Sequence, residues 1–330
     1  MLDFNAPELE FAIQTVQQAS MLVQQVQQKL VLPALSKKDL SPVTVADFAS
    51  QALVGFLLEQ TFPNDLLVAE EDSKALKKPK ESITLEQITT FVKDFIPEAT
   101  TETVCQWIDR GSSQSGERFW TLDPIDGTKG FLRGDQYVVA LALVENFEVK
   151  IGVLGCPNLG KSQNLPVEQR HTLVVAARGL GSWVTSLLEP GDYQQIFVST
   201  QANPIEARLL RSYESGHTNV DQIDDFANQL NIQAEPVRLD SQAKYALLAA
   251  GEGDLLLRLL SPSHPNYREK IWDQAAGAIV LEEAGGKITD LDGKPLDFSQ
   301  GRQLNHNRGV LASNGKLHAA ALEALKDIGA

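Results

Sequence analysis

Trp120-Thr121-Leu122-Asp123-Pro124-Ile125-Asp126-Gly127-Thr128-Lys129-Gly130 sets two aspartates around a Pro-Ile pair. Arg118 to Leu122 reads as a strand, aromatic, β-branched and apolar after a charged entry. Pro124 cannot extend a central strand, so the pattern predicts a turn just after Asp123. Asp126-Gly127 adds a second turn signal. Such a bend gathers two carboxylates and at least one freed backbone carbonyl, the oxygen donors that hard divalent cations such as Mg²⁺ require. Gly127 lets backbone approach an anion closely, and Thr128 sets a hydroxyl where amide N–H groups are open. An ordinary Asp-Gly loop satisfies the same pattern, so the metal reading needs further acids from elsewhere in the chain.

Working outward, several residues offer both a bland and a chemical role. Leu66-Leu67-Val68-Ala69 reads as a short buried strand, and Glu70-Glu71-Asp72 follows at its carboxyl end. The first acid after a buried strand points where strand ends gather, which singles out Glu70. A helix opening at Thr44 carries Ala46, Ala49, Ala52, Leu53, Phe56 and Leu57 inward, and Thr44-x-x-Asp47 fits a capping box. Asp47 becomes a general base only beside a metal-bound water. In Asp240-Ser241-Gln242-Ala243-Lys244-Tyr245, Ser241 is either an N-cap or a phosphate contact, with Lys244 one turn on as a cation. The strand Asp254 to Leu260 presents Arg258, suited to bidentate phosphate contact or to a structural ion pair. Asp273 opens an alanine-rich helix, Trp272 to Ala284, as an N-cap or as the carboxylate that closes a site begun far upstream. His217 sits in a Ser-Gly-His-Thr loop, and chemistry alone gives it no role.

The first part of the chain reads as helices (Pro7 to Leu30, the Thr44 helix, Thr84 to Phe95) followed by strands. The strands are Tyr137 to Val144, Val149 to Gly155, Thr172 to Ala177, Ser182 to Val184 and Gln194 to Val198, an α+β pattern. After about Ser199 the pattern alternates: strand Leu209 to Ser212, helix Asp221 to Leu230, strand Pro236 to Leu239 and helix Ser241 to Ala250. The Arg258 strand and Asp273 helix follow, then strands Lys287 to Asp290 and Gly309 to Ser313 and helix His318 to Asp327, an α/β pattern. No internal repeat is visible. Two unlike lobes, 1–199 and 200–330, with a site at their junction, are therefore expected.

The formal net charge of −14 and a pI near 4.8 oppose binding to nucleic acid or to anionic membranes, which need a basic face. A phosphate-bearing substrate would need positive charge supplied locally, by metal and a few Lys or Arg. The N-terminus lacks a basic flank and apolar run, and no stretch has the apolar length to span a bilayer. Only Cys105 and Cys156 are present, which suits a reducing compartment, so a cytoplasmic location is expected.

Taken together, Glu70-Glu71, Asp123-Pro124-Ile125-Asp126-Gly127-Thr128 and Trp272-Asp273-x-x-Ala276-Gly277 resemble the Mg²⁺-dependent, lithium-sensitive phosphatases related to inositol monophosphatase. Ser41-Pro42-Val43-Thr44-x-Ala46-Asp47, Phe119-Trp120-x-Leu122-Asp123, Gly127 to Gly134, Gly155-Cys156-Pro157-Asn158 and Leu239 to Tyr245 are similar to the 3′(2′),5′-bisphosphate nucleotidases of that superfamily. The resemblance runs from about Ser41 to Ser313. It implies a two-lobed αβαβα sandwich of the inositol monophosphatase/fructose-1,6-bisphosphatase type. It also implies removal of the 3′-phosphate of adenosine 3′,5′-bisphosphate to give AMP, with the sulfated relative as a further substrate.

By the same resemblance, Glu70, Asp123 and the Ile125 carbonyl hold one Mg²⁺, and Asp123, Asp126 and Asp273 a second, with two or three ions per site. Asp47 and Thr128 accept the proton of the attacking water. Asp126, Gly127, Thr128, His217, Ser241, Lys244, Arg258 and Asp273 meet the nucleotide and its phosphates. Inhibition by Li⁺, with Na⁺ a second candidate, and a monomeric chain are likewise expected. Residues 159–170 lack a family pattern. The competing readings are an inositol phosphate phosphatase of the same superfamily and a non-catalytic Mg²⁺ or nucleotide sensor.

Overall fold

The computed structural model describes residues 6–31, 42–160, 171–213, 219–261 and 264–330. In chain order the elements are α1 (Pro7–Val26), α2 (Pro42–Thr61), β1 (Leu66–Ala69), α3 (Ser82–Lys93), α4 (Thr101–Asp109), β2 (Arg118–Asp126) and α5 (Thr128–Arg133). Strands β3 (Val138–Glu145), β4 (Glu148–Cys156), β5 (Thr172–Ala177), β6 (Gly181–Ser186), β7 (Gln194–Ile196) and β8 (Leu209–Arg211) come next. The remainder is α6 (Val220–Gln229), β9 (Val237–Arg238), α7 (Ala243–Ala249), β10 (Leu255–Arg258), α8 (Ala275–Glu283), β11 (Lys287–Thr289), β12 (Val310–Ser313) and α9 (His318–Asp327).

Strands β1 to β7 form one sheet in chain order, with β1 parallel to β2 and every later pair antiparallel. The second sheet runs β11-β12-β10-β8-β9. Side chains alternate faces along a strand, and the alternation assigns each sheet two partners. On β3, Val139, Leu141 and Leu143 join a core with α1 and α2, whereas Val138, Ala140, Ala142 and Val144 join a core with α7 and α8. In the second sheet Leu210, Leu256, Val310 and Ala312 face that same middle layer, while Leu209, Leu255, Leu257 and Leu311 face α6 and α9. The result is five layers, helix, sheet, helix, sheet, helix, as expected for the αβαβα sandwich.

Three local expectations give way. β2 does not turn after Asp123 but continues to Asp126, its pairing jumping from Asp123 with Ala140 to Asp126 with Val138. The one extra residue on β2 is a bulge, and a bulge is where a strand tolerates a proline. The second helix opens at Pro42 rather than Thr44, because proline's fixed φ suits the first helical position. Thr44 therefore lies within the first turn, not at an N-cap. The first helix leaves the α form at Val26 and passes through a π turn, Gln27–Val31, where Gln27 Nε2 donates to the Phe131 carbonyl at 2.7 Å. Helices α4 and α5 were not expected at all.

Helix α8 is buried between the sheets. A Cβ on Gly277 would lie 2.2 Å from the Tyr245 ring, and one on Gly152 would lie 2.4 Å from Ile279 Cγ2. Gly277→Ala gains about 1 kcal/mol of helix propensity, but overpacking against a ring with no room to move costs about 1–3 kcal/mol. The Tyr245 hydroxyl also donates to Gln274 Oε1 at 2.5 Å, which resists its displacement. Net destabilisation of up to about 2 kcal/mol is expected, read as a lower midpoint in urea denaturation. Unchanged stability would mean that the ring yields freely.

Candidate active site

The parallel pairing of β1 with β2 sets Ala69 beside Leu122. The next residues, Glu70 just past the end of β1 and Asp123 within β2, therefore stand side by side. Strand parity puts Asp123 on the Phe119 face, the face packed toward α7 and α8. Asp123 Oδ1 accepts the Ile125 N–H at 3.1 Å, shaping the bulge. Gly127 then takes φ 88° and caps α5. A Cβ there would come within 2.7 Å of Ser241 Cβ, so the glycine lets the β2–α5 turn press against the start of α7. Across that contact the Gln242 N–H donates to Asp126 Oδ2 at 2.6 Å.

Asp273 arrives from the segment before α8. It is not an N-cap: Gln274 holds that position and makes no side-chain cap. Ser241, at φ +67°, lies one residue before the N-cap position held by Gln242, yet its Oγ accepts the Ala243 N–H at 3.3 Å and so still serves the start of the helix. Arg258, at the end of β10, pairs through Nε with Glu269 Oε2 at 2.8 Å and brings Nη2 to 3.9 Å from Asp273. Glu269 also accepts Gln274 Nε2 at 2.9 Å, so Arg258 is braced from beneath. Lys244 Nζ donates to Ser212 Oγ at 2.8 Å. Burial first, and the Arg258 guanidinium second, pull its ammonium down to about 8.

Glu70, Asp123, Ile125, Asp126, Gly127, Thr128, Ser241, Lys244, Arg258 and Asp273 all line one cavity of about 440 Å³. Asp47, 3% exposed, does not line it but stands behind. Burial, then the charges of Glu71 and Glu70, raise the Asp47 carboxyl well above the usual range. Asp123, also 3% exposed, is raised by burial and then by Glu70, Asp126, Asp273 and Asp47. Asp273 is raised by burial, against the opposing pull of Arg258. Glu70 keeps an edge in solvent, yet protein crowds its inner side. That crowding, then Glu71 and Asp126, pushes it up to about 7, with Lys270 and Arg302 opposing. Thr128 Oγ1 donates to the Ile125 carbonyl at 3.3 Å. His217 lies outside the described residues, as do residues 161–170.

The donor set is all oxygen, four carboxylates and a main-chain carbonyl around one space, which fits a hard divalent cation. As the side chains stand, no three His, Cys, Asp or Glu among the described residues draw together tightly enough to hold an ion. The fit therefore rests on the chemistry of the donors and their shared cavity. Mutual charge also argues for it, because carboxylates that raise one another's proton affinity are strong takers of a cation.

Several further residues line or brace the cavity. Arg211 and Ser212 line the cavity at the end of β8. β8 is parallel to β10, so Arg211 and Arg258 emerge at the same sheet edge, and the carboxyl ends of parallel strands are where such sheets bind ligands. That signal was available. Arg302 was not legible: its guanidinium stacks 4.8 Å from the Trp272 ring centroid, donates to Gly111 O at 2.8 Å and also bonds the Ala69 carbonyl. It thereby ties the residue before Glu70 to the residue before Asp273.

The inositol monophosphatase family model matches residues 5–330. A 3′(2′),5′-bisphosphate nucleotidase of Oryza sativa is 45% identical over 98% of this chain and 94% of its own length. Nucleotidases of the same name from Arabidopsis thaliana and Schizosaccharomyces pombe are 44% and 40% identical, over 97% and 98% of this chain and 96% of each of theirs. Among solved structures, an IMPase of Thermotoga maritima superposes with TM-score 0.64 at 22% identity, covering 97% of both chains. An inositol monophosphatase of Anabaena gives 0.63 at 23% identity, covering 97% of this chain and 95% of its own.

Proposed function

The chain belongs to the inositol monophosphatase family, and from that premise we propose that it is a Mg²⁺-dependent phosphomonoesterase. In this reading it removes the 3′-phosphate of adenosine 3′,5′-bisphosphate, leaving AMP, and also accepts the sulfated analogue. The observation that carries the proposal is one cavity lined both by Glu70, Asp123, Asp126 and Asp273 and by the cations Lys244 and Arg258. The name borne by relatives at 39–45% identity points to the nucleotide rather than to an inositol phosphate.

Glu70, Asp123 and the Ile125 carbonyl would hold one ion, and Asp123, Asp126 and Asp273 a second. Bound Mg²⁺ would lower the pKa of the attacking water and neutralise charge on the phosphoryl group. Asp47 takes the water's proton, and Thr128 orients that water and the phosphate. Lys244, Ser241 and Arg258 receive phosphate oxygens, with Glu269 keeping Arg258 pointed inward. Residues 1–199 would then form the lobe with most ligands, and 200–330 the lobe with the nucleotide contacts and Asp273. Among the described residues no helix is long and apolar enough to cross a membrane.

Phosphate release from adenosine 3′,5′-bisphosphate and from inositol 1-phosphate, each with and without Mg²⁺, tests the proposal. The nucleotide should turn over faster, only with Mg²⁺, and millimolar Li⁺ should inhibit by occupying an ion position with too little charge. Preference for the inositol ester would shift the reading to that substrate. No release above blank would leave a non-catalytic sensor.

A further inference from the structure

Gln242 is 2% exposed and stands between the two segments that carry Asp126 and Asp273. Its backbone N–H donates to Asp126 Oδ2 at 2.6 Å. Its side chain lies near the same carboxylate and also bridges onward: Nε2 donates to the Trp272 carbonyl at 3.0 Å, and Oε1 accepts the Gly277 N–H at 3.0 Å. The orientation of the amide is fixed by its partners, because a carbonyl can only accept and a backbone N–H can only donate. One residue thus spans the Trp272 to Gly277 turn from end to end while holding the Asp126 carboxylate.

Asp273 needs such an external brace. It caps no helix, and its nearest oppositely charged partner among the described residues, Arg258, is 3.9 Å away. Its place is therefore set by its own backbone, and the carbonyl immediately before it is held by Gln242. The left-handed Ser241 turns the chain so that the Gln242 N–H and side chain can serve both sides at once. Tyr245, one turn on in α7, fastens the same helix to Gln274.

We infer that Gln242 is a positioning residue that fixes the separation of Asp126 and Asp273, and through it the affinity for the divalent cation they share. The inference rests on the proposed metal site. An amide suits the task where a carboxylate does not: glutamate of the same shape loses the donor to Trp272 and sets a further negative charge beside Asp126.

The test uses the whole chain without substrate and Mn²⁺ alone as probe, followed by electron paramagnetic resonance, on wild type, Gln242→Met and Gln242→Glu. Both variants should bind Mn²⁺ about 10–100-fold more weakly, the range for losing an outer partner of a metal site. In Mg²⁺ assays kcat should fall by a similar factor, with KM for the bisphosphate moving less. The glutamate variant separates position from charge, since added negative charge by itself would tighten Mn²⁺ binding. Thermal denaturation of each variant, read at temperatures where it is folded, removes simple instability, and the near-isosteric glutamate decides if the methionine variant fails to fold. Wild-type Mn²⁺ affinity in a folded variant, or tighter binding by the glutamate variant, overturns the inference. Failure of the wild type itself to bind Mn²⁺ would instead overturn the metal site beneath it.

Discussion

Asp123→Asn is expected to lower turnover by about 10³-fold or more at saturating substrate and Mg²⁺. The carboxylate is the one assigned to both ions, and a metal supplies several kcal/mol of transition-state charge stabilisation. Losing about 4 kcal/mol of that amounts to a factor of about 10³. Asparagine keeps an acceptor for the Ile125 N–H, so the bulge persists and the loss reports on charge rather than on a collapsed turn. The same variant should be more stable than the parent in EDTA. Asp123 is buried among four other acids whose charges raise its carboxyl, and removing a buried like charge relieves repulsion. A gain of about 1 kcal/mol would raise Tm by roughly 2 °C in a chain of this size. Near-normal activity at high Mg²⁺ would remove Asp123 from its shared role.

Asp47→Asn is expected to lower kcat by about 10²–10⁴-fold, the range for loss of a positioned general base. Its burial behind the cavity and its charge contact with Glu71, Glu70 and Asp123 place it beside the acids without making it one of the cavity walls. The Mg²⁺ concentration for half-maximal rate should therefore stay near that of the parent, whereas Asp123→Asn raises it steeply. Single-turnover rates measured across a Mg²⁺ titration separate the two outcomes. A large rise in the Mg²⁺ requirement of Asp47→Asn would make the residue a ligand or a scaffold rather than a base.

What could be read from the sequence was local or combinatorial. Leu66–Ala69 followed by Glu70 is legible because a buried strand of apolar residues needs no tertiary context, and its predicted span matches the observed one. The candidate site residues stand out only jointly: singly, Asp47, Ser241 and Asp273 each fit a helix start. The structure removes the capping role from Asp273, since Gln274 occupies the N-cap position, whereas Ser241 keeps a bond from the Ala243 N–H. Pro124 misled because a strand break and a bulge share one sequence signature, and only the pairing with β3 separates them. Gln242, Glu269 and Arg302 were invisible for a different reason. Each acts by hydrogen bonds or an ion pair to partners elsewhere in the chain, Arg302 reaching across 233 positions to the Ala69 carbonyl. No spacing rule reports such a partner.

The order in which the layers enter the chain has its own consequence. The first sheet is complete by Ile196, yet the helices that cover its second face begin at Ala243 and Ala275. A ribosome still short of that point holds a nascent chain whose largest sheet turns one oily side, Val138, Ala140, Ala142, Val144 and Val174, to water. Such an intermediate is prone to aggregate and is a natural client for a chaperone. It also already carries Glu70 and Asp123 but not yet Asp273, so on the proposed ligand assignment catalysis would await synthesis of that last acid.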